Sequence, residues 1–213
     1  MARLERARVL VVGVGGVGSW CAEALVRTGI GYLALMDDDI VAPSNVNRQC
    51  PATAQTLGRA KVEAMRARLL EIDPACDVEA WPCRYESAAS LPHPLADFSL
   101  VIDAIDSVPC KASLILEAMR LRVPILSSMG AARRLDPTRV AMMRFNKVAG
   151  DGLARALRQH FKHLGARPDF RCAASDECPC EQGADGVKGS LMPVTCAFGM
   201  ALAAEAIKIL SAP

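Results

Sequence analysis

Apolar and polar positions change period several times along the chain. Val9 to Val12 are four consecutive apolar residues, which predict a strand buried on both faces, and Gly13, Gly15, Gly16 and Gly18 turn the chain immediately after it. Val17, Cys21 and Leu25 then recur at helical spacing, Arg27 stands in the last turn, and Gly29 ends the helix. Tyr32 to Met36 is a second strand, stopped by Asp37. Residues 59–72 read as a helix with Val62, Met65, Leu69 and Ile72 on one face, closed by Asp73-Pro74. Residues 78–83, 98–103 and 123–128 read as strands, and a helix from near Pro109 carries Ala112, Ile115, Leu116 and Met119. Strands alternating with helices of this length predict an α/β fold: a doubly wound, mainly parallel Rossmann-like sheet with helices on both faces. Residues 152–165 continue as an amphipathic helix, 186–189 as a flexible loop and 192–210 as a packed terminal helix, a smaller C-terminal substrate-binding part.

The glycine turn carries the first chemical signal. Without Cβ atoms the backbone of Gly13, Gly15, Gly16 and Gly18 lets a phosphate approach, and the following helix offers unpaired N–H groups and a partial positive charge. Asp37, about twenty residues on, stands where an acid reaches ribose hydroxyls, with Asp39 beside it. The segment after it decides which nucleotide chemistry applies. A dehydrogenase has no evident use for Asn45 and Arg48, whereas a phosphoanhydride under attack needs groups that absorb developing charge. Lys61, in the first turn of a helix, is unfavourable against the helix dipole and so predicts a bound anion. Solvated charges are the plain alternative for both cations. Asp103 and Asp106 follow a strand whose carboxyl end should face the ligand, and Asp106 is the expected magnesium contact, with an N-cap as its other reading.

Composition narrows the class. The 213 residues suffice for one α/β domain with a real core, 52% hydrophobic but only 4% aromatic, so Ala, Val and Leu must pack it. A net charge of +2 leaves any attraction to nucleic acid local. Nine cysteines scattered through helix and strand patterns fit a reducing, cytoplasmic setting. No stretch reaches the roughly 18 to 20 apolar residues of a membrane helix, because the longest, residues 191–204, is interrupted by Pro193, Thr195 and Gly199.

Four motifs in order, GVGGVGS at 13–19, DDDIVAPSNVNRQ at 37–49, GRAKVEAM at 58–65 and VIDAIDS at 101–107, resemble the adenylating enzymes related to ubiquitin-activating enzyme. The resemblance implies ATP with magnesium as cofactors, and residues 1–145 as an ATP-binding adenylation core completed by 146–213. It also implies Asp37 on the ribose, Asn45, Arg48 and Lys61 on the phosphates, and Asp106 on the metal. Family members that adenylate sulfur carriers hold zinc between two C-x-x-C pairs; this chain has none, and Cys172, Cys178 and Cys180 are spaced wrongly, so no zinc is expected. The segments DAIDSVPCKASL, FRCAASDE and KGSLMPVTCAFGM look like the branch that cyclises threonylcarbamoyladenosine in tRNA. That likeness implies a homodimer, tRNA as partner and a sulfur-transfer or cysteine desulfurase-type helper. Cations near Cys50 would lower its thiol pKa, although this route asks for no covalent cysteine.

Arg155, Arg158 and Lys162 share a polar face of the 152–165 helix and, with Arg167 and Arg171, predict a local RNA-phosphate surface that Arg133, Arg134 and Arg139 extend. An ordinary solvated helix face is the alternative. By the resemblance, relatives carry an N-terminal arginine that enters the partner subunit's site; either Arg3, Arg6 or Arg8 serves here or that contribution is lost, and a C-terminal extension is expected to be missing. Two other functions fit the same motifs: adenylation of a carrier protein's C-terminus, and a nucleotide-holding module without turnover.

Overall fold

The computed structural model describes residues 3–181 and 189–212, so the loop expected at 186–189 lies, apart from Gly189, outside the described residues. The strands are β1 (Arg8–Val12), β2 (Tyr32–Met36), β3 (Asp77–Trp81), β4 (Leu100–Asp103), β5 (Ile125–Ser128), β6 (Val140–Arg144) and β7 (Arg171–Ser175). The helices are α1 (Gly18–Arg27), α2 (Lys61–Ile72), α3 (Val108–Leu121), α4 (Gly152–His163) and α5 (Met192–Ser211). One sheet joins the strands in the order β3-β2-β1-β4-β5-β7-β6, parallel throughout except for β6, which runs antiparallel to β7. Val9 and Val11 pack toward α1, α2 and α5, while Leu10 and Val12 pack toward α3 and α4. The run of four apolar residues thus fills both faces of a central strand.

Register places the functional edge. Val12 pairs with Met36 and Asp103, Met36 with Trp81, and Asp103 with Ser127, so β1 to β4 end on one line that β5 overshoots by one residue. Loops leaving that line converge where doubly wound sheets bind ligands.

The C-terminal part departs from expectation. It supplies β7 to the interior of the sheet, beside β6 from the end of the preceding core, where only helices and a loop are predicted. Arg171–Ser175, RCAAS, lacks the β-branched residues that mark strands, yet its last four residues are buried because β5 and β6 flank it. Helix α5 also runs unbroken for 20 residues, long and apolar enough by length and composition to cross a membrane, at a mean hydropathy of 1.5. Pro193 lies in its first turn, where a missing N–H costs nothing, and Thr195 Oγ1 donates to the Met192 carbonyl at 3.1 Å. Val194, Phe198, Leu202 and Ala206 are fully buried, so α5 serves here as a core helix.

Gly199 lets α5 touch the backbone of α1: a Cβ there would stand 2.7 Å from the Val17 carbonyl oxygen and 2.9 Å from the Cys21 nitrogen. Alanine in a helix is intrinsically favoured over glycine by about 1 kcal/mol. Overlap with backbone that cannot swing aside outweighs that gain, so Gly199→Ala is expected to destabilise by about 1–3 kcal/mol. Urea titration measures the loss, and an unchanged midpoint would show that the two helices separate without penalty.

Candidate functional site

Beyond the strand ends lies a cleft of about 680 Å³, within the range of small-molecule sites. The glycine turn forms its floor. Gly13 has φ +92°, and a Cβ on it would lie 2.6 Å from the Ala104 carbonyl oxygen. A Cβ on Gly18 would lie 1.9 Å from the Gly13 carbonyl oxygen, so neither position admits a larger residue without rebuilding the turn. A Cβ on Gly16 would lie 3.3 Å from the Arg48 and Thr195 side chains, and one on Gly15 3.9 Å from Gln49 Nε2. No side chain caps α1 and its first turn holds no acid, which leaves a cationic helix end facing the cleft.

Asp37 is tied to this turn. Its Oδ2 accepts from the Val14 N–H at 2.7 Å and its Oδ1 from the Asp39 N–H at 2.9 Å. Burial pushes its carboxyl above the ordinary value, against the pull of Lys61 and the two backbone donors. Lys61 is buried, with Nζ 2.6 Å from Asp39 Oδ2 and 3.9 Å from Asp37 Oδ1. The anion that offsets this helix-end lysine is therefore a pair of protein carboxylates. An incoming phosphate would compete with Asp39, whose side chain is the exposed member of the pair.

The segment after β2 bridges back to α2 through Ile40 and Ala60, then turns at Pro43–Asn45. Asn45 is buried, and its Oδ1 accepts from the Ala42 N–H at 3.0 Å, so half of its amide holds the turn while the residue still lines the cleft. Arg48 lies half-buried in the cleft, its Nη1 donating to the Ser44 carbonyl at 2.7 Å and to Asn47 Oδ1 at 2.9 Å. Trp20 Nε1 donates to the Arg48 carbonyl at 2.9 Å and fixes its backbone. Across the cleft Asp106 is exposed on the loop before α3 and does not cap that helix, whose N-cap is Ser107. Asp103 does not emerge as expected. It is fully buried, with Oδ2 at 2.6 Å from both Lys111 Nζ and Ser127 Oγ, and Oδ1 accepting from the Ile105 N–H at 3.1 Å.

Behind α1, Glu23 accepts from Arg68 at 2.6 Å, Arg27 at 2.9 Å and the Cys50 thiol at 2.8 Å. Burial opposes its ionisation, but these three donors prevail and hold its pKa at about 2. Cys50 consequently moves opposite to the expectation from neighbouring cations: burial and the Glu23 carboxylate push its thiol up to about 12. A carboxyl depressed on folding contributes stability above its unfolded value near 4.5, and loses it as pH falls toward about 2. The wild-type melting temperature should therefore drop across that window more steeply than that of Glu23→Gln, as calorimetry at a series of pH values would measure.

The loop after β5 and the start of α4 close the cleft. Arg134, expected at the surface, is fully buried: its Nη2 donates to Asp151 Oδ2 at 2.8 Å and its Nε to the Gly130 carbonyl at 2.8 Å. Asp151 also caps α4 through the Ala154 N–H at 2.8 Å, so one carboxylate fixes both the loop after β5 and the start of α4. Nothing in the sequence pairs these residues, 17 apart. Arg133, in a left-handed conformation at φ 61°, reaches the cleft. Among the expected RNA contacts, Arg155 and Lys162 are exposed on α4, which begins at the cleft. Arg158 differs, because its guanidinium lies over the Phe145 ring and donates to the Phe145 and Val148 carbonyls. Arg139 pairs with Asp176 and Arg171 with Glu205. Arg8 sits over the Tyr32 ring at 3.5 Å, at the far end of β1 from the cleft.

This architecture and motif set have known counterparts. The model of the ThiF family matches residues 1–213. A tRNA threonylcarbamoyladenosine dehydratase of Bacillus subtilis is 39% identical over 178 residues, 83% of this chain and 69% of the relative. The Escherichia coli protein of the same name is 42% identical over 156 residues, 73% of this chain and 58% of the relative, so the match spans less than two thirds of that protein. A solved structure of the Escherichia coli tRNA N6-threonylcarbamoyladenosine dehydratase in complex with ATP superposes with a TM-score of 0.89 at 35% identity, covering 97% of this chain and 86% of that one.

Proposed function

Because this chain belongs to the ThiF family, we propose that it uses ATP to activate the carboxylate of threonylcarbamoyladenosine in tRNA, and that ring closure with loss of one water follows. The observation that carries this reading is the convergence of the glycine turn, the open end of α1, Arg48 and Lys61 on one cleft. A carboxylate oxygen attacks the α-phosphorus of ATP and pyrophosphate leaves. A nitrogen or oxygen of the neighbouring carbamoyl group then attacks the acyl carbon, AMP departs with the former carboxylate oxygen, and a proton passes to solvent. The nucleophile for the second step belongs to the substrate, so the inert Cys50 is no obstacle.

Each side chain has a part in the first step. Asp37 is placed to accept from ribose hydroxyls. Arg48 offsets charge on the leaving pyrophosphate, and Lys61 does so on exchanging Asp39 for phosphate. Asp106, a hard oxygen donor exposed at the cleft, fits a magnesium ion, while Asp103 is committed to Lys111. Bound magnesium would neutralise phosphate charge. Arg155 and Lys162, about 10 Å apart along α4 at 1.5 Å per residue, suit contact with backbone phosphates of the anticodon arm.

Incubation with ATP, magnesium and tRNA bearing the modification should remove the mass of one water from the nucleoside, as mass spectrometry would detect. ATP–pyrophosphate exchange that required a small carrier protein and ignored tRNA would overturn the proposal in favour of carrier adenylation.

A further inference from the structure

Gln49 is 6% exposed, lines the cleft, and its side-chain Oε1 is buried without a hydrogen-bond partner among the described residues. Its backbone is fully used: the N–H donates to the Asn45 carbonyl at 2.9 Å, and the carbonyl accepts from the Ala52 N–H at 3.1 Å. An unpaired buried carbonyl keeps its desolvation cost uncompensated, so an amide held this way in a ligand cleft is suited to a ligand donor. Tyr32 and Tyr85 also carry orphaned hydroxyls, but Tyr32 does not line the cleft, and Tyr85, which does, stands on the loop after β3 rather than beside the glycine turn. Gln49 instead stands beside the phosphate-binding turn, with Nε2 3.9 Å from the point a Gly15 Cβ would occupy.

Position and chemistry together select the partner. An amide presents donors on one side and an acceptor on the other. Phosphate oxygens only accept, so they can satisfy the NH2 group and never the carbonyl. The donors of ATP are its ribose hydroxyls, which belong at Asp37, and its adenine amino group, farther still from the phosphates. The remaining donor close to the α-phosphorus is on the group being activated. Resting on the activity proposed above, we infer that Gln49 is a positioning residue for the acyl substrate: its side-chain carbonyl accepts the ureido N–H next to the carbon bearing the carboxylate. That bond would set the attacking oxygen against the α-phosphorus while the same amide's NH2 faces the phosphates.

Gln49→Leu and Gln49→Glu test this, with wild-type dehydration of modified tRNA as the reference. No wild-type dehydration would overturn the activity itself, separately from the role of Gln49. With an active wild type, Gln49→Leu should lower kcat/KM for the tRNA about 10- to 100-fold. Its affinity for ATP alone should stay within about threefold, and its melting temperature should hold or rise, since an apolar group replaces an unpaired polar one. Gln49→Glu keeps an acceptor and should recover most of the tRNA KM at saturating ATP, although its charge weakens ATP binding. Unchanged tRNA kinetics in Gln49→Leu would overturn the inference. A loss of ATP affinity above about tenfold in that variant would make Gln49 a nucleotide ligand instead, and a lowered melting temperature would make it structural.

Discussion

Lys111→Met is expected to destabilise the protein by about 3–5 kcal/mol, the usual penalty for removing one partner of a buried ion pair. Lys111 and Asp103 have no exposed side-chain surface, and their charged atoms are 2.6 Å apart. Removing the lysine strands a carboxylate among β4, β5 and α3, with Ser127 Oγ as its remaining side-chain donor. Chemical denaturation measures the loss. Asp103→Leu, Lys111→Met and Ser127→Ala combined should recover most of it, because no uncompensated polar group then remains buried. ATP affinity should fall below that of the wild type in the triple variant, since Asp103 Oδ1 also holds the Ile105 N–H and with it the loop that presents Asp106. Full recovery of ATP affinity would show that this loop needs no such anchor.

Arg48→Ala is expected to lower ATP-driven dehydration about 10²- to 10³-fold, the usual cost of removing one preorganised group that stabilises transition-state charge. Its folding stability should change by about 1 kcal/mol or less, because among the described residues the guanidinium donates only to the Ser44 carbonyl and Asn47 Oδ1 of its own loop. Steady-state turnover beside thermal melting separates the two quantities. Turnover within about threefold of wild type would remove Arg48 from the chemistry.

Where the signal was local, the chain disclosed it. Strand, glycine turn and helix, with Asp37 at the end of the next strand, could be read directly because each step rests on neighbours in sequence. The errors cluster where partners are distant. Asp103 looked like a second ligand acid until Lys111 and Ser127 were seen around it. Arg134 and Arg158 looked like surface cations, yet Asp151 and two backbone carbonyls draw them inward. β7 was missed because RCAAS has weak strand propensity and owes its conformation to β5 and β6.

Residue order alone dictates the half around the glycine turn: its element types, the glycines that leave room beside the backbone, and the acid and cations gathered near them. Three-dimensional packing settles which of those charges are free to act. Whether a carboxylate or guanidinium serves chemistry or architecture depends on what lies within about 3 Å of it, and folding brings those neighbours from anywhere along the chain.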